Sequence, residues 1–153
     1  MPAANLIART PPALSQFEID GRIAVRHGET RYHANISWRH EAARDEILLT
    51  TPLGQGVAEL SRDAAGARLL MADRREYAAA DWEGLAERTF GARLPLNDLP
   101  LWLTGYKPGE TSGWRIDYLD YQSDAADALP TLIEVRREDI ELRLKVNEWI
   151  VAR

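Results

Sequence analysis

Three histidines, His27, His33 and His40, are the residues of this chain whose side chains could hold a metal or pass a proton near neutral pH. Their spacing matches no helical histidine pair, and His33 falls among the polar positions of an alternating segment. Zinc needs closer convergence than that, so all three are expected at the surface and no metal is expected. Nucleophilic catalysis would need a serine or cysteine beside a base. The chain has no cysteine, and Ser15, Ser37, Ser61, Ser112 and Ser123 lie in no nucleophile motif. Gly54-Gln55-Gly56 lacks the surroundings of a phosphate loop, with no Lys-Ser/Thr after it. Most carboxylates alternate with apolar residues and read as solvated strand faces. No enzyme and no cofactor are therefore expected. A cryptic acidic site is the enzymatic alternative, and turnover strictly dependent on one or two carboxylates would reveal it.

What remains is apolar. Five tryptophans are many for 153 residues, and side chains of that size line either a core or an apolar site. Packing alone is the simpler account. Leu53 is different: it stands by itself in a loop, between Pro52 and Gly54. It either folds back onto the core or protrudes towards a membrane or partner. A leucine fully buried in lipid gains roughly 1.5–3 kcal/mol, too little to anchor a protein but enough to bias a brief dock.

The elements that must position these residues are mainly strands. Phe17, Ile19, Ile23 and Val25 alternate with Glu18, Asp20, Arg22 and Arg26. After a turn at His27-Gly28-Glu29, Tyr32, Ala34, Ile36 and Trp38 alternate with polar residues, which predicts a hairpin of two half-buried strands. Ile47-Leu48-Leu49 is apolar on both faces, so a strand covered on both sides is expected there. Val57 to Leu60 and Ala67 to Met71 read as another hairpin, turning at Asp63 to Gly66. The period then changes. Trp82, Leu85, Ala86 and Phe90 have helical spacing, with Asp81 as N-cap and Gly91 as stop. Pro95 to Leu103 is a second short helical segment, with Leu99, Trp102 and Leu103 on one face and Gly105 at its end. Strands resume at Trp114, at Leu132 to Arg137 and at Ile140 to Val146. Near the N-terminus Thr10 could cap a short helix with Pro11 in its first turn.

Short connections imply antiparallel pairing, and eight or so strands of this length tend to curl. The expected fold is mainly β (α+β): an antiparallel barrel or partial barrel with short helices covering one opening and an apolar cavity. Residues 1–153 read as one domain, with 1–13 expected to be poorly ordered, and a domain of this size buries roughly 70% of its unfolded surface. A formal net charge of -5 argues against nucleic acid, and composition offers no polybasic patch for anionic lipid. No apolar run approaches the ~18 residues of a membrane span, and no signal peptide opens the sequence.

Several pieces, in order, carry a resemblance. They are Phe17-x-Ile19-x-Gly21-Arg22-Ile23-Ala24, then Trp38, then Leu48-Leu49-Thr50-Thr51-Pro52-Leu53-Gly54. Phe90-Gly91 follows, with Pro95-Leu96-x-x-Leu99-x-x-Trp102-Leu103-x-Gly105 and Gly113-Trp114. Leu129-Pro130, the strand Ile140 to Val146 and Trp149 complete the pattern. From about residue 14 onward the chain resembles the LolB family of outer-membrane lipoprotein receptors. The resemblance implies an unclosed antiparallel half-barrel with short helices over its mouth, and an apolar cavity that receives the acyl chains of lipoproteins from the related carrier LolA. It implies that Trp38, Trp102, Trp114 and Trp149 are family tryptophans, and that Leu53 is the protruding leucine that helps pass lipoprotein into the membrane. Ile36, Trp38, Leu49, Leu142 and Leu144 are then the wall candidates, and Leu99, Trp102 and Leu103 the lid. The implied partners are a LolA-like carrier, acylated lipoproteins and outer-membrane phospholipid, with the protein acting as a monomer and without nucleotide.

Family members carry a signal peptide and an N-terminal lipidated cysteine, which this sequence lacks. The expectation is a soluble chain that begins after that cysteine, with Met1 added, from a protein anchored at the periplasmic face of the outer membrane. A LolA-like carrier and a lipocalin-like binder of a small apolar ligand are the alternatives. A freely shuttling carrier needs no acyl anchor, so the native N-terminus separates the first of them.

Overall fold

A computed structural model describes residues 8–12 and 14–151. Five strands come first: β1 (Phe17–His27), β2 (Thr30–Glu41), β3 (Arg44–Thr50), β4 (Gly56–Asp63) and β5 (Gly66–Met71). A short β6 (Glu76–Ala79) precedes the helices α1 (Trp82–Phe90) and α2 (Leu99–Leu103). The chain returns to strands in β7 (Arg115–Tyr121), β8 (Pro130–Arg137) and β9 (Ile140–Ile150). All pairings are antiparallel, in one nine-stranded sheet of order β6-β5-β4-β3-β2-β1-β9-β8-β7. The edge strands β6 and β7 do not pair with each other, so the barrel is unclosed, as the family resemblance implies.

One face of the sheet is apolar throughout. In β1 every second residue from Phe17 to Val25 is buried, and β9 repeats the pattern with Leu142, Leu144 and Val146. Successive side chains of a strand point to opposite faces, so this alternation decides which side can be covered. The helices cover it. α1 packs on β4, β5 and β6, while the main-chain carbonyl of Trp102 in α2 accepts a 2.7 Å hydrogen bond from Tyr118 of β7. The segment from Trp82 to Leu103 therefore crosses the apolar face from one side of the open sheet to the other.

Register irregularities occur where the sheet must bend: at Asp20/Gly21 in β1–β9, at Leu49/Thr50 in β3–β4 and twice between β7 and β8. Gly21 is required at the first of these. A Cβ there would lie 1.9 Å from the Lys145 carbonyl oxygen, so only glycine lets β1 and β9 approach this closely.

The structure departs from the sequence reading at several points. β3 is covered on one side only: Ile47 and Leu49 are fully buried, but Leu48 is 44% exposed, because the helices pack on a single face of the sheet. β6 has no counterpart in the reading; its Glu-Tyr-Ala-Ala sequence is short and poor in β-branched residues, and pairing with β5 makes it a strand. The second helix begins only at Leu99, after a turn in which the Asp98 and Leu99 amides bond to the Pro95 carbonyl. Among the described residues no helix follows Thr10. Among residues 8–12 the Thr10 amide bonds to the Ala126 carbonyl at 2.8 Å, and the Arg9 guanidinium lies 3.8 Å from the Tyr121 ring centroid. Of the stretch expected to be poorly ordered, residues 1–7 and 13 lie outside the described residues.

Candidate functional site

The apolar face and its helical cover meet as a closed interior. Ile36, Trp38, Leu49, Leu142 and Leu144, the wall candidates, are each at most 3% exposed. Leu99, Trp102 and Leu103 on α2 lie against them with no more than 1% exposure. Trp114 is buried immediately before β7, with the Arg137 guanidinium 4.3 Å from its ring centroid. Trp149 is half-buried at the far end of β9, donating from Nε1 to the Pro130 carbonyl at 2.7 Å and meeting Phe17 edge-on. The structure thus gathers eight of these residues and Trp114 around one interior and leaves Trp149 at its margin.

α1 forms where local chemistry favours it. The Asp81 carboxylate accepts from the Glu83 amide at the N-terminus, and Gly91, at φ 80°, ends the helix. Its buried Trp82 meets Trp38 of β2 edge-on at 6.0 Å and donates from Nε1 to Asn97 Oδ1 at 2.8 Å. That second bond ties α1 to the chain leading into α2. Trp82 did not figure among the sequence candidates, although its place at the head of a capped amphipathic helix is the signal that could have found it. α2 has five residues, too few to be stable alone, so its helical form depends on packing. Tyr118 holds it to β7. Burial, helped by the neighbouring Tyr121, pushes the Tyr118 phenol well above its ordinary range, so it remains a proton donor to the Trp102 carbonyl.

Leu53 sits at the tip of the β3–β4 connection and is 89% exposed, so it does not fold back onto the core. The turn explains this. The Gly54 amide bonds to the Thr51 carbonyl at 2.8 Å, and the Thr51 amide bonds to the Gln55 carbonyl at 2.8 Å. Pro52 occupies the position whose φ it pre-sets, and Gly54 supplies a φ of 85°. The Thr51 hydroxyl also accepts from the Gln55 amide, so a bonded turn presents a single leucine to solvent.

At the opposite end of β3 lies a polar cluster that sequence reasoning missed. Asp45 is fully buried. Its Oδ1 accepts from Trp38 Nε1 at 2.9 Å and lies 2.6 Å from His40 Nδ1, while Oδ2 receives both Nε and Nη2 of Arg62. Burial raises the Asp45 pKa, but the hydrogen bonds from His40, Trp38 and Arg62 outweigh it and hold the carboxyl below its usual value. His40 is therefore part of this cluster rather than a surface histidine. Arg62 also lies over the Trp82 ring at 5.5 Å, which links the cluster to α1. Nothing about isolated charges in alternating strands marked them as partners, because the contact arises from β2–β3–β4 register.

On the other face of the sheet, a groove of about 790 Å³ runs beside the Leu53 turn. Arg22, His33, Asn35, Arg143 and Lys145 line it with Pro52 at one side and Asp120 and Leu132 at the other. The Asn35 side-chain amide donates to the Thr51 carbonyl at 3.3 Å, joining the groove to the turn.

Residues 15–149 match the family described as "Outer membrane lipoprotein LolB". The chain is 34% identical to the outer-membrane lipoprotein LolB of Azoarcus sp. (strain BH72), the match covering 88% of this chain and 78% of that protein. It is 33% identical to the protein of the same name from Nitrosomonas europaea, over 87% of this chain and 72% of that one. With that from Shewanella sp. (strain MR-4) it shares 31% identity, over 87% and 71% respectively.

Proposed function

The chain belongs to the LolB family of outer-membrane lipoproteins, and from that premise we propose that it takes lipoprotein acyl chains from a LolA-type carrier and inserts the lipoprotein into the outer membrane. The observation that carries the reading is an apolar sheet face covered by a helical segment too short to hold itself. Leu99, Trp102 and Leu103 are buried only through packing. Exposing three such side chains costs about 5–9 kcal/mol, so the cover stays packed on the sheet until other apolar contacts replace its own. An entering acyl chain gains about 0.8 kcal/mol per CH₂, and roughly ten methylenes offset the displaced contacts. No bond is made or broken. Direction requires only tighter binding here than in the carrier, about 1.4 kcal/mol for each factor of ten.

Within this reading Ile36, Trp38, Leu49, Leu142 and Leu144 are the walls that acyl chains touch. Leu99, Trp102 and Leu103 move aside, and Trp114 and Trp149 border the entry. Leu53, held between Pro52 and Gly54, enters the outer-membrane phospholipid and guides release. The protein works as a monomer at the periplasmic face of that membrane, its native form held by an N-terminal acyl anchor. Mass spectrometry of the native protein tests the anchor; an unlipidated mature chain starting at Met1 would remove that part of the reading. The exposed Leu53 favours a receptor over a free carrier, which has no use for a membrane-seeking tip.

The test is transfer. The cognate carrier is loaded with a radiolabelled acylated lipoprotein, this chain is added, and the label is followed by co-purification. Movement of label to this chain, absent for a non-acylated control, is the expected result. No movement between two folded proteins would overturn acceptance and favour a binder of small apolar ligands.

A further inference from the structure

The groove on the outer face of β1, β2 and β9 has a charge arrangement that the acyl-chain interior does not use. Arg22 and Lys145 are directly opposite each other across the β1–β9 pair, both on the outer face and both exposed. Among the described residues neither enters an ion pair. Like charges placed opposite in a sheet repel, so this position is destabilised in the free protein. It occurs in a chain whose formal net charge is -5. One step along the sheet, Ala24 lies between His33 on one side and Arg143 on the other, and its small side chain leaves the floor of the groove open. Arg143 is paired with Glu134 at 2.7 Å, and the Asp120 carboxylate, which accepts from the Tyr121 amide, stands at the rim as an anion; among the described residues Arg22 and Lys145 are the groove cations outside any ion pair.

We propose that this groove binds the phosphate of an anionic phospholipid headgroup while Leu53 occupies the acyl layer beside it. The inference rests on the membrane role of Leu53. Pro52 is both a wall of the groove and the neighbour of Leu53, and Asn35, Arg22 and Lys145 follow from the end of β3 on successive strands β2, β1 and β9, roughly 4.8 Å apart. A side chain seated at the acyl boundary, roughly 5–10 Å deep, places such a groove among headgroups. The cations are exposed and screened, so a lone phosphate ion in water gains little from them. A membrane differs, because Leu53 insertion holds the groove against a dense layer of headgroups and raises their effective concentration.

Flotation with vesicles tests this. Phosphatidylcholine vesicles, with and without phosphatidylglycerol, are mixed with the wild-type chain, with Arg22→Gln/Lys145→Gln and with the control Arg44→Gln/Arg68→Gln, which removes equal charge from exposed sites on β3 and β5. The wild type is expected to favour phosphatidylglycerol vesicles. The groove double variant should lose that preference by roughly tenfold or more, while the control keeps most of it. Its melting temperature is expected to stay level or rise, since a repulsive pair has gone, so weaker binding is separable from unfolding. Unchanged phosphatidylglycerol binding by the groove variant would overturn the proposal. So would displacement of the wild type by inorganic phosphate at constant ionic strength, which would assign the groove to free phosphate. Leu53→Ser separates the two readings. If it binds vesicles like the wild type while the groove variant does not, the loop reading fails and the groove stands. If it loses binding to both vesicle types while the groove variant binds normally, the loop stands and the groove fails.

Discussion

Leu53 owes its exposure to its neighbours: Pro52 and Gly54 close a turn whose tip points away from the sheet. Nothing in the fold depends on that side chain, so Leu53→Glu is expected to change stability by no more than about 0.5 kcal/mol. Acceptance from the carrier should continue. Membrane delivery should fall roughly ten- to a hundredfold, the loss of a leucine's 1.5–3 kcal/mol in lipid, with the added charge deepening it. Normal delivery by this variant in the transfer assay, with vesicles as the final acceptor, would remove the loop from the mechanism. Asp45 is the opposite case, a residue with no surface and four donated contacts. Asp45→Asn keeps an oxygen for Trp38 but gives up the charge that Arg62 and His40 face, and should cost about 1–3 kcal/mol at neutral pH. The sign with pH follows from the lowered pKa. The carboxylate's contribution is complete above the ordinary aspartate value of 3.8 and is lost as pH falls below it through the folded-state value. Denaturant unfolding should therefore show the difference between wild type and variant at pH 7 shrinking in strong acid; a constant difference would mean that the charge contributes nothing.

At the scale of elements, α2 is the piece whose form depends most on its surroundings. Its five residues cannot supply a stable helix, and one side-chain hydrogen bond, from Tyr118 to the Trp102 carbonyl, fastens it to the sheet. Tyr118→Phe removes that bond while keeping the ring. About 1 kcal/mol is expected to be lost, which makes local opening roughly fivefold more frequent. Hydrogen exchange at Leu99–Leu103 should quicken by that factor with little change in β1 and β9. Equal acceleration everywhere would show that Tyr118 supports the whole fold instead of the cover.

For the molecule as a whole, the open sheet and the helical cover have different tasks. β1, β2 and β9 form the centre of the sheet and carry the buried residues Ile36, Trp38, Leu142 and Leu144, the proposed walls, on one side and the basic groove on the other. On binding an acylated lipoprotein, residues 94–105 are expected to lose exchange protection while these three strands keep theirs. Uniform protection throughout the chain would mean that acyl chains do not enter under α2. The Asp45 cluster, which reaches Trp82 through Arg62, should keep α1 in place during this change.

Much of this architecture was written in short-range pattern. Alternation along Phe17–Val25, Tyr32–Trp38 and Ile140–Val146 announced strands and chose their apolar side, because successive side chains must point to opposite faces. Asp81 and Gly91 marked the ends of α1, and Pro52-Leu53-Gly54 marked the turn, since each acts through its own backbone. The proposed wall and lid residues were legible as apolar, and the resemblance in Pro-Leu-Gly, Leu99 and Trp102 is what suggested the roles proposed for them. Tertiary structure decided the remainder. Whether Leu48 was covered depended on which face of the sheet the helices occupy, and whether Glu76–Ala79 formed a strand depended on pairing with β5. The Asp45 cluster required β2, β3 and β4 in one register. Composition offered no polybasic patch, yet Arg22, His33, Arg143 and Lys145 share one groove. Antiparallel pairing of β1 with β2 and β9 brings together cations from opposite ends of the chain, and sequence spacing carries no trace of that proximity.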